Sequence, residues 1–249
     1  MLLPIGRADE RTHQTAWVIY ALILVNLLVF LLELLGGNDF IAAFAVVPYE
    51  ITHGVDLMQA VHVRGVGMVP QAPGPTPIYL TLFTAMFMHS GWLHIGGNML
   101  YLWIFGGEIE AVFDHLKFLA FYLLCGLAAF GAQILPDLDS VIPSLGASGA
   151  IAGVMGAYVL LFPRHRIRTL LPLGWLMIPV RLPALVVIGF WIVIQYFDEF
   201  IAITEHNAQT RNGGVAYLAH IGGFITGWLL AFLFRPPPTL AAGDPFDMR

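Results

Sequence analysis

Six apolar segments, each bounded by charge, proline or glycine, take up most of this chain: Ala16–Leu35, Trp92–Val112, Phe118–Leu135, Ser148–Phe162, Pro183–Ile203 and Val215–Phe234. Runs of this length read as helices that cross a bilayer, because a helix satisfies its own backbone hydrogen bonds where no water is present. Of the 249 residues, 58% are hydrophobic and 11% charged, whereas an ordinary soluble domain is about 25% charged. The expected fold class is an all-α polytopic membrane protein with six transmembrane helices.

Six crossings return both termini to one side. With the N-terminus cytoplasmic, the inner segments hold Arg7, Arg11, Lys117, Arg164, Arg166, Arg168, Arg181, Arg235 and Arg249, and the outer ones only Arg64 and Arg211. That asymmetry follows the positive-inside rule. The expected organisation is a cytoplasmic N-terminal segment (1–14), a six-helix membrane domain (15–235) with a long external loop (36–91), and a disordered cytoplasmic tail (236–249). The first apolar run is too long for a signal-peptide core and reads as a retained span. With no transit sequence in view, a prokaryotic plasma membrane is the expected location.

A net charge of −5 without a basic block, and no Gly-rich phosphate loop, argue against nucleic acid and nucleotide partners. The single cysteine, Cys125, can form neither an internal disulfide nor a CxxC site.

The fourth segment is short. Its 15 residues, Ser148 to Phe162, make a helix of ~22 Å against a hydrocarbon core of ~30 Å. Arg164, Arg166 and Arg168 pin its C-terminal end at the inner surface, so the helix begins inside the membrane, below the outer face. Ser148, one of only four serines, is thereby submerged. His220 lies five residues into the sixth segment, a descent of ~8 Å from the same side. Small residues follow both, Ala152 and Gly156 after Ser148, and Gly223 and Gly227 after His220. Such faces let two helices approach closely, as a serine–histidine hydrogen bond across them requires. His94 and Asn98, one turn apart at the start of the second segment, fall at a similar depth and bring two neutral hydrogen-bond donors.

Each residue also has a plain reading. A serine beside glycine at a helix end commonly packs or caps, and an intramembrane histidine can bond helices or relay protons. His94 and Asn98 serve equally as interhelical glue. Glu33, Glu108, Asp198 and Glu199 lie near helix ends and read as solvated or loop-bonded, and Trp92 and Tyr217 as outer interface anchors. The joint pattern decides between the readings.

Through His89-x4-His94-x3-Asn98, Gly146-x-Ser148-Gly149 and Ala219-His220-x-x-Gly223, in that order along the sequence, the chain resembles the rhomboid family of intramembrane serine proteases. The resemblance covers roughly Thr81 to Trp228. It implies a rhomboid-like six-helix bundle in which Ser148 is the nucleophile, His220 the general base and acid, and Asn98 and His94 the oxyanion donors. His89, Gly146, Gly149 and Gly223 are then supporting residues, and Glu110 a structural acid that caps or braces a loop. The implied activity is cleavage of transmembrane protein substrates near the outer membrane edge, without cofactor or metal. Some members carry an aromatic residue four positions after the nucleophile, packed against the catalytic histidine, where this chain has Ala152. The Trp-Arg pair of some members' first loop is also missing.

Other classes fit less well. A transporter would show matched inverted repeats, and none is convincing. A zinc enzyme would usually show HExxH, which does not occur. The remaining alternative is a rhomboid-like protein that binds membrane proteins without cutting them. Such proteins normally lack the serine or the histidine.

Overall fold

The computed structural model describes residues 2–7, 15–173, 176–204 (backbone only from 195) and 217–235. In chain order, strand β1 (Leu3–Arg7) precedes the long helix α1 (Trp17–Phe44), a short α2 (Pro48–His53), strands β2 (Val61–Val63) and β3 (Gly67–Val69), and a four-residue α3 (Thr81–Thr84). Then come α4 (Trp92–Phe113), α5 (His115–Ile134), α6 (Ser148–Leu161), strands β4 (Arg166–Leu173) and β5 (Leu176–Pro183), α7 (Ala184–Thr204) and α8 (Tyr217–Phe234). The six long helices fall on the six apolar segments. By length and composition, α1, α5 and α8 suffice to cross a membrane. The expected tail, 236–249, lies outside the described residues, as do Arg11 and Arg211.

The all-α expectation is corrected by two small sheets. β1, β4 and β5 form an antiparallel sheet in the order β1-β4-β5, and β2 pairs with β3. The connection from α6 to α7 is therefore a β-hairpin joined by the N-terminal strand. Its sequence has the period of two that strands require: Arg166 and Arg168 are exposed while Ile167 and Thr169, which alternate with them, are buried. Prolines at 172, 179 and 183 exclude a helix there. Two of the three sit on β5, an edge strand, where a missing N–H costs little.

α1 extends beyond the apolar run expected of it by turning at Gly37, whose backbone (φ 61°, ψ −150°) leaves the helical region. Its first turn is closed by an acid from α4. The Glu110 carboxylate accepts the Val18 and Ile19 N–H groups at 2.9 Å each, satisfying donors that a helix start leaves orphaned. His115 Nδ1 meets the same carboxylate at 2.5 Å. Glu110 thus caps a helix, in keeping with the bracing role expected of it.

Glu108 and Glu33, expected to be solvated or loop-bonded, are both buried. Glu108 accepts the Tyr158 hydroxyl at 2.6 Å and faces His165 Nδ1 at 3.0 Å and Arg7 at 3.7 Å, joining α4, α6 and β1. Glu33 accepts the His89 backbone N–H at 2.9 and 3.1 Å. A carboxyl group removed from water needs such partners, and for Glu33 the loop-bonded alternative holds, since His89 lies in the segment before α4. The side chains of Asp198 and Glu199 lie outside the described residues.

Candidate active site

α6 begins at Ser148 because the strand before it is held elsewhere. Val46 and Ser144 exchange backbone hydrogen bonds of 2.9 and 2.7 Å, and Gly146 N–H donates to the Ala85 carbonyl at 2.8 Å. Gly146 then turns the chain with φ +133°, a conformation that disfavours any side chain. Ser148 opens the helix directly after this turn, so its own N–H is among the donors that a helix start leaves without an intrahelical partner.

The opposing helix is α8. A Cβ placed on Gly223 would overlap the Gly149 carbonyl, one on Gly227 the Gly153 carbonyl, and one on Gly156 the Phe224 carbonyl. α6 and α8 therefore touch main chain to main chain. The contact face of α6 is Gly149, Gly153 and Gly156, offset from the Ala152 and Gly156 stripe expected. Gly153 is also close to Cys125 of α5, where a Cβ would lie 2.5 Å from the Cys125 Sγ.

This approach brings His220 Nε2 to 2.7 Å from Ser148 Oγ. The distance is that of a hydroxyl donating to an imidazole nitrogen and suits a nucleophile paired with its base. His220 is buried at 5% exposure. Among the described residues, its ring is approached by Trp191 of α7, with centroids 5.4 Å apart and planes at 45°, and by Tyr217, one turn earlier on α8, at 6.5 Å and 85°. Tyr217 was expected only as an interface anchor. Trp191 was not singled out from the sequence at all, because nothing local links α7 to His220.

α4 brings His94 to the same place and carries Asn98 one turn further on. His94 lies against the Gly146 turn: a Cβ there would sit 3.1 Å from His94 Cε1, 3.2 Å from its Nε2 and 3.5 Å from Ser148 Oγ. Its other nitrogen, Nδ1, accepts the Ser90 backbone N–H at 3.3 Å, with the Ser90 hydroxyl at 3.1 Å. A neutral imidazole that accepts at Nδ1 carries its proton on Nε2, which makes the edge near Ser148 a donor. Asn98, one turn further, is 9% exposed, and its Nδ2 is buried without a hydrogen-bond partner among the described residues. A buried donor left unpaired is costly and calls for a functional explanation.

The supporting residues have distinct places. His89 is buried before α4 and packs edge-on to His94, with centroids 5.0 Å apart. Burial pushes its imidazole down to about 3, so it stays neutral. Gly149 and Gly223 form one of the backbone contacts between α6 and α8. A narrow cleft beside Ser148 is lined by Gly126, Ala129, Phe130, Gly146, Gly149 and Ala150.

Fold and site together define a mostly helical membrane protein that holds a part-buried serine–histidine pair between two helices in backbone contact. The family described as Rhomboid domain matches residues 77–237. The chain belongs to the rhomboid family. It is similar to Rhomboid protein 1, mitochondrial, of Saccharomyces cerevisiae (31% identity, 60% of this chain and 40% of that one). It is also similar to Rhomboid protease GluP of Bacillus subtilis (30%, 65% and 27%) and Rhomboid protease GlpG of Pectobacterium atrosepticum (31%, 60% and 46%). The matched part is less than half the length of each of these relatives.

Proposed function

We propose that this chain is an intramembrane serine endopeptidase that cleaves membrane-anchored proteins near the outer membrane edge. One observation carries the reading: Ser148 Oγ lies 2.7 Å from His220 Nε2, with the donors Asn98 and His94 facing it from α4. Relatives named as rhomboid proteases support it. All six long helices cross the bilayer, with both termini on the cytoplasmic side, as the nine-to-two distribution of basic residues suggests.

In this mechanism His220 Nε2 takes the proton of the Ser148 hydroxyl as Oγ attacks the scissile carbonyl carbon. The oxyanion is held by the Ser148 N–H, Asn98 Nδ2 and His94 Nε2. The imidazolium gives its proton to the leaving amine and the C–N bond breaks, leaving an acyl-serine. Water, deprotonated by His220, then releases the acid and restores the serine. The chemistry requires no cofactor or metal.

A substrate helix enters past α7, whose Leu185, Val186, Phe190 and Val193 are exposed. It unwinds locally, since a helix hides its carbonyls in its own hydrogen bonds. The small residues lining the cleft beside Ser148 favour a small substrate side chain there.

The test is to incubate purified protein with a single-span substrate and, separately, with a fluorophosphonate. Ser148→Ala and His220→Ala should each lower turnover by at least ~10³-fold, and Ser148→Ala should lose labelling. Cleavage by Ser148→Ala at the wild-type rate would overturn the reading.

A further inference from the structure

We propose that Trp191 is a positioning residue for His220, supplying from α7 the ring that α6 does not provide. The inference rests on His220 being the general base. Ala152, one turn below Ser148, is fully buried and brings only a methyl group. The imidazole instead lies 5.4 Å from the Trp191 ring, tilted at 45°, while Tyr217 approaches at 85° from its own helix.

The hydrogen bond to Ser148 positions Nε2, and general-base catalysis needs the whole ring held with Nε2 toward Oγ. An indole at this distance restrains the ring's rotation by packing. It does more once the proton has moved. The imidazolium is a cation within about 6 Å of an aromatic centroid, the range in which the electron-rich face of tryptophan attracts positive charge. Trp191 therefore favours the charged state through which the reaction passes more than the neutral one that precedes it, so its effect falls on the chemical step. The structure places this ring on the same helix through which the substrate is proposed to enter.

The experiment uses the full chain in detergent or nanodiscs, with Trp191→Phe, Trp191→Leu and the double variant Trp191→Leu/Ala152→Phe. Leucine keeps apolar volume without a π face, so it separates packing from ring character where alanine would leave a hole. Two quantities are read: kcat and KM on a single-span substrate, and the rate at which a small fluorophosphonate labels Ser148. Trp191→Leu should lower kcat and the labelling rate together by about tenfold, with KM within about twofold. Trp191→Phe should keep most of both rates, and the second-site phenylalanine should recover part of the loss.

A residue that only gated substrate entry would change cleavage of the large substrate and leave labelling by the small probe untouched. That result, or wild-type kcat in Trp191→Leu, would overturn the proposal. Labelling of Ser148→Ala, run alongside, keeps this failure distinct from failure of the protease reading. If Ser148→Ala is inert while Trp191→Leu is fully active, only the role of Trp191 is lost.

Discussion

His94 and Asn98 lie one turn apart on α4 but are held differently. His94 is fixed by the Ser90 N–H on its far nitrogen, whereas the buried amide of Asn98 has no protein acceptor among the described residues. Removing Asn98 therefore costs the resting protein little and the oxyanion much. Asn98→Ala should lower kcat by ~10²–10³-fold, about 2.7–4 kcal/mol, with the thermal midpoint close to wild type. A large loss of stability instead would mark Asn98 as helix glue. At this scale the Ser148–His220 pair and the nearness of His94 were legible in the sequence: Ser148, His220, His94 and Asn98 are polar residues at repeated helical spacings in an apolar background. Trp191 was not legible, because its contact with His220 depends on how α7 leans on α8. One tryptophan among six carries no local mark of that.

Between helices, what matters is the absence of side chains. Gly227 has the Gly153 backbone where its Cβ would be, so Gly227→Ala must push α6 and α8 apart. Such overpacking costs about 1–3 kcal/mol, and the same displacement should lengthen the Ser148–His220 hydrogen bond and depress turnover. Gly131 in α5 has nothing within 4 Å of its would-be Cβ. Gly131→Ala should keep full activity and a thermal midpoint equal to or above wild type. Equal behaviour of the two variants in thermal melts and turnover would contradict this account of the interface. Most helix boundaries were legible because apolar length sets them, the exception being α1, which runs on past Gly37 to Phe44. The hairpin β4–β5 was not, because its arginines read as a positive inner loop, and only the alternation of Arg166 to Thr169 betrayed a strand.

Across the whole molecule, both ends of the bundle are closed by carboxylates taken out of water. At one end Glu110 and Glu108 tie α1, α4, α6 and β1 together. At the other, Glu50 of α2, 2% exposed, accepts the Leu57 N–H at 2.8 Å and so holds the long loop between α1 and α4. Burial raises the Glu50 carboxyl above its ordinary 4.5, with the charge of Asp56 adding to it and the Leu57 hydrogen bond offsetting part. Its folded form then binds a proton more tightly than its unfolded form. The stability this contributes is complete below 4.5 and is lost as pH rises through the raised value. Glu50→Gln keeps the acceptor and removes the charge. It should raise the thermal midpoint above that range and leave it unchanged below, flattening this part of the pH profile. A parallel shift at all pH values would show that Glu50 acts through packing alone.

The sheet that joins β1 to β4 also determines how load travels through the molecule. β1 has five residues and pairs directly with the strand that continues from α6 after a four-residue turn. Tension applied to the N-terminus is shared between α1 and, through β1, the C-terminal end of α6. Mechanically, the N-terminal strand is a handle on the helix that carries Ser148.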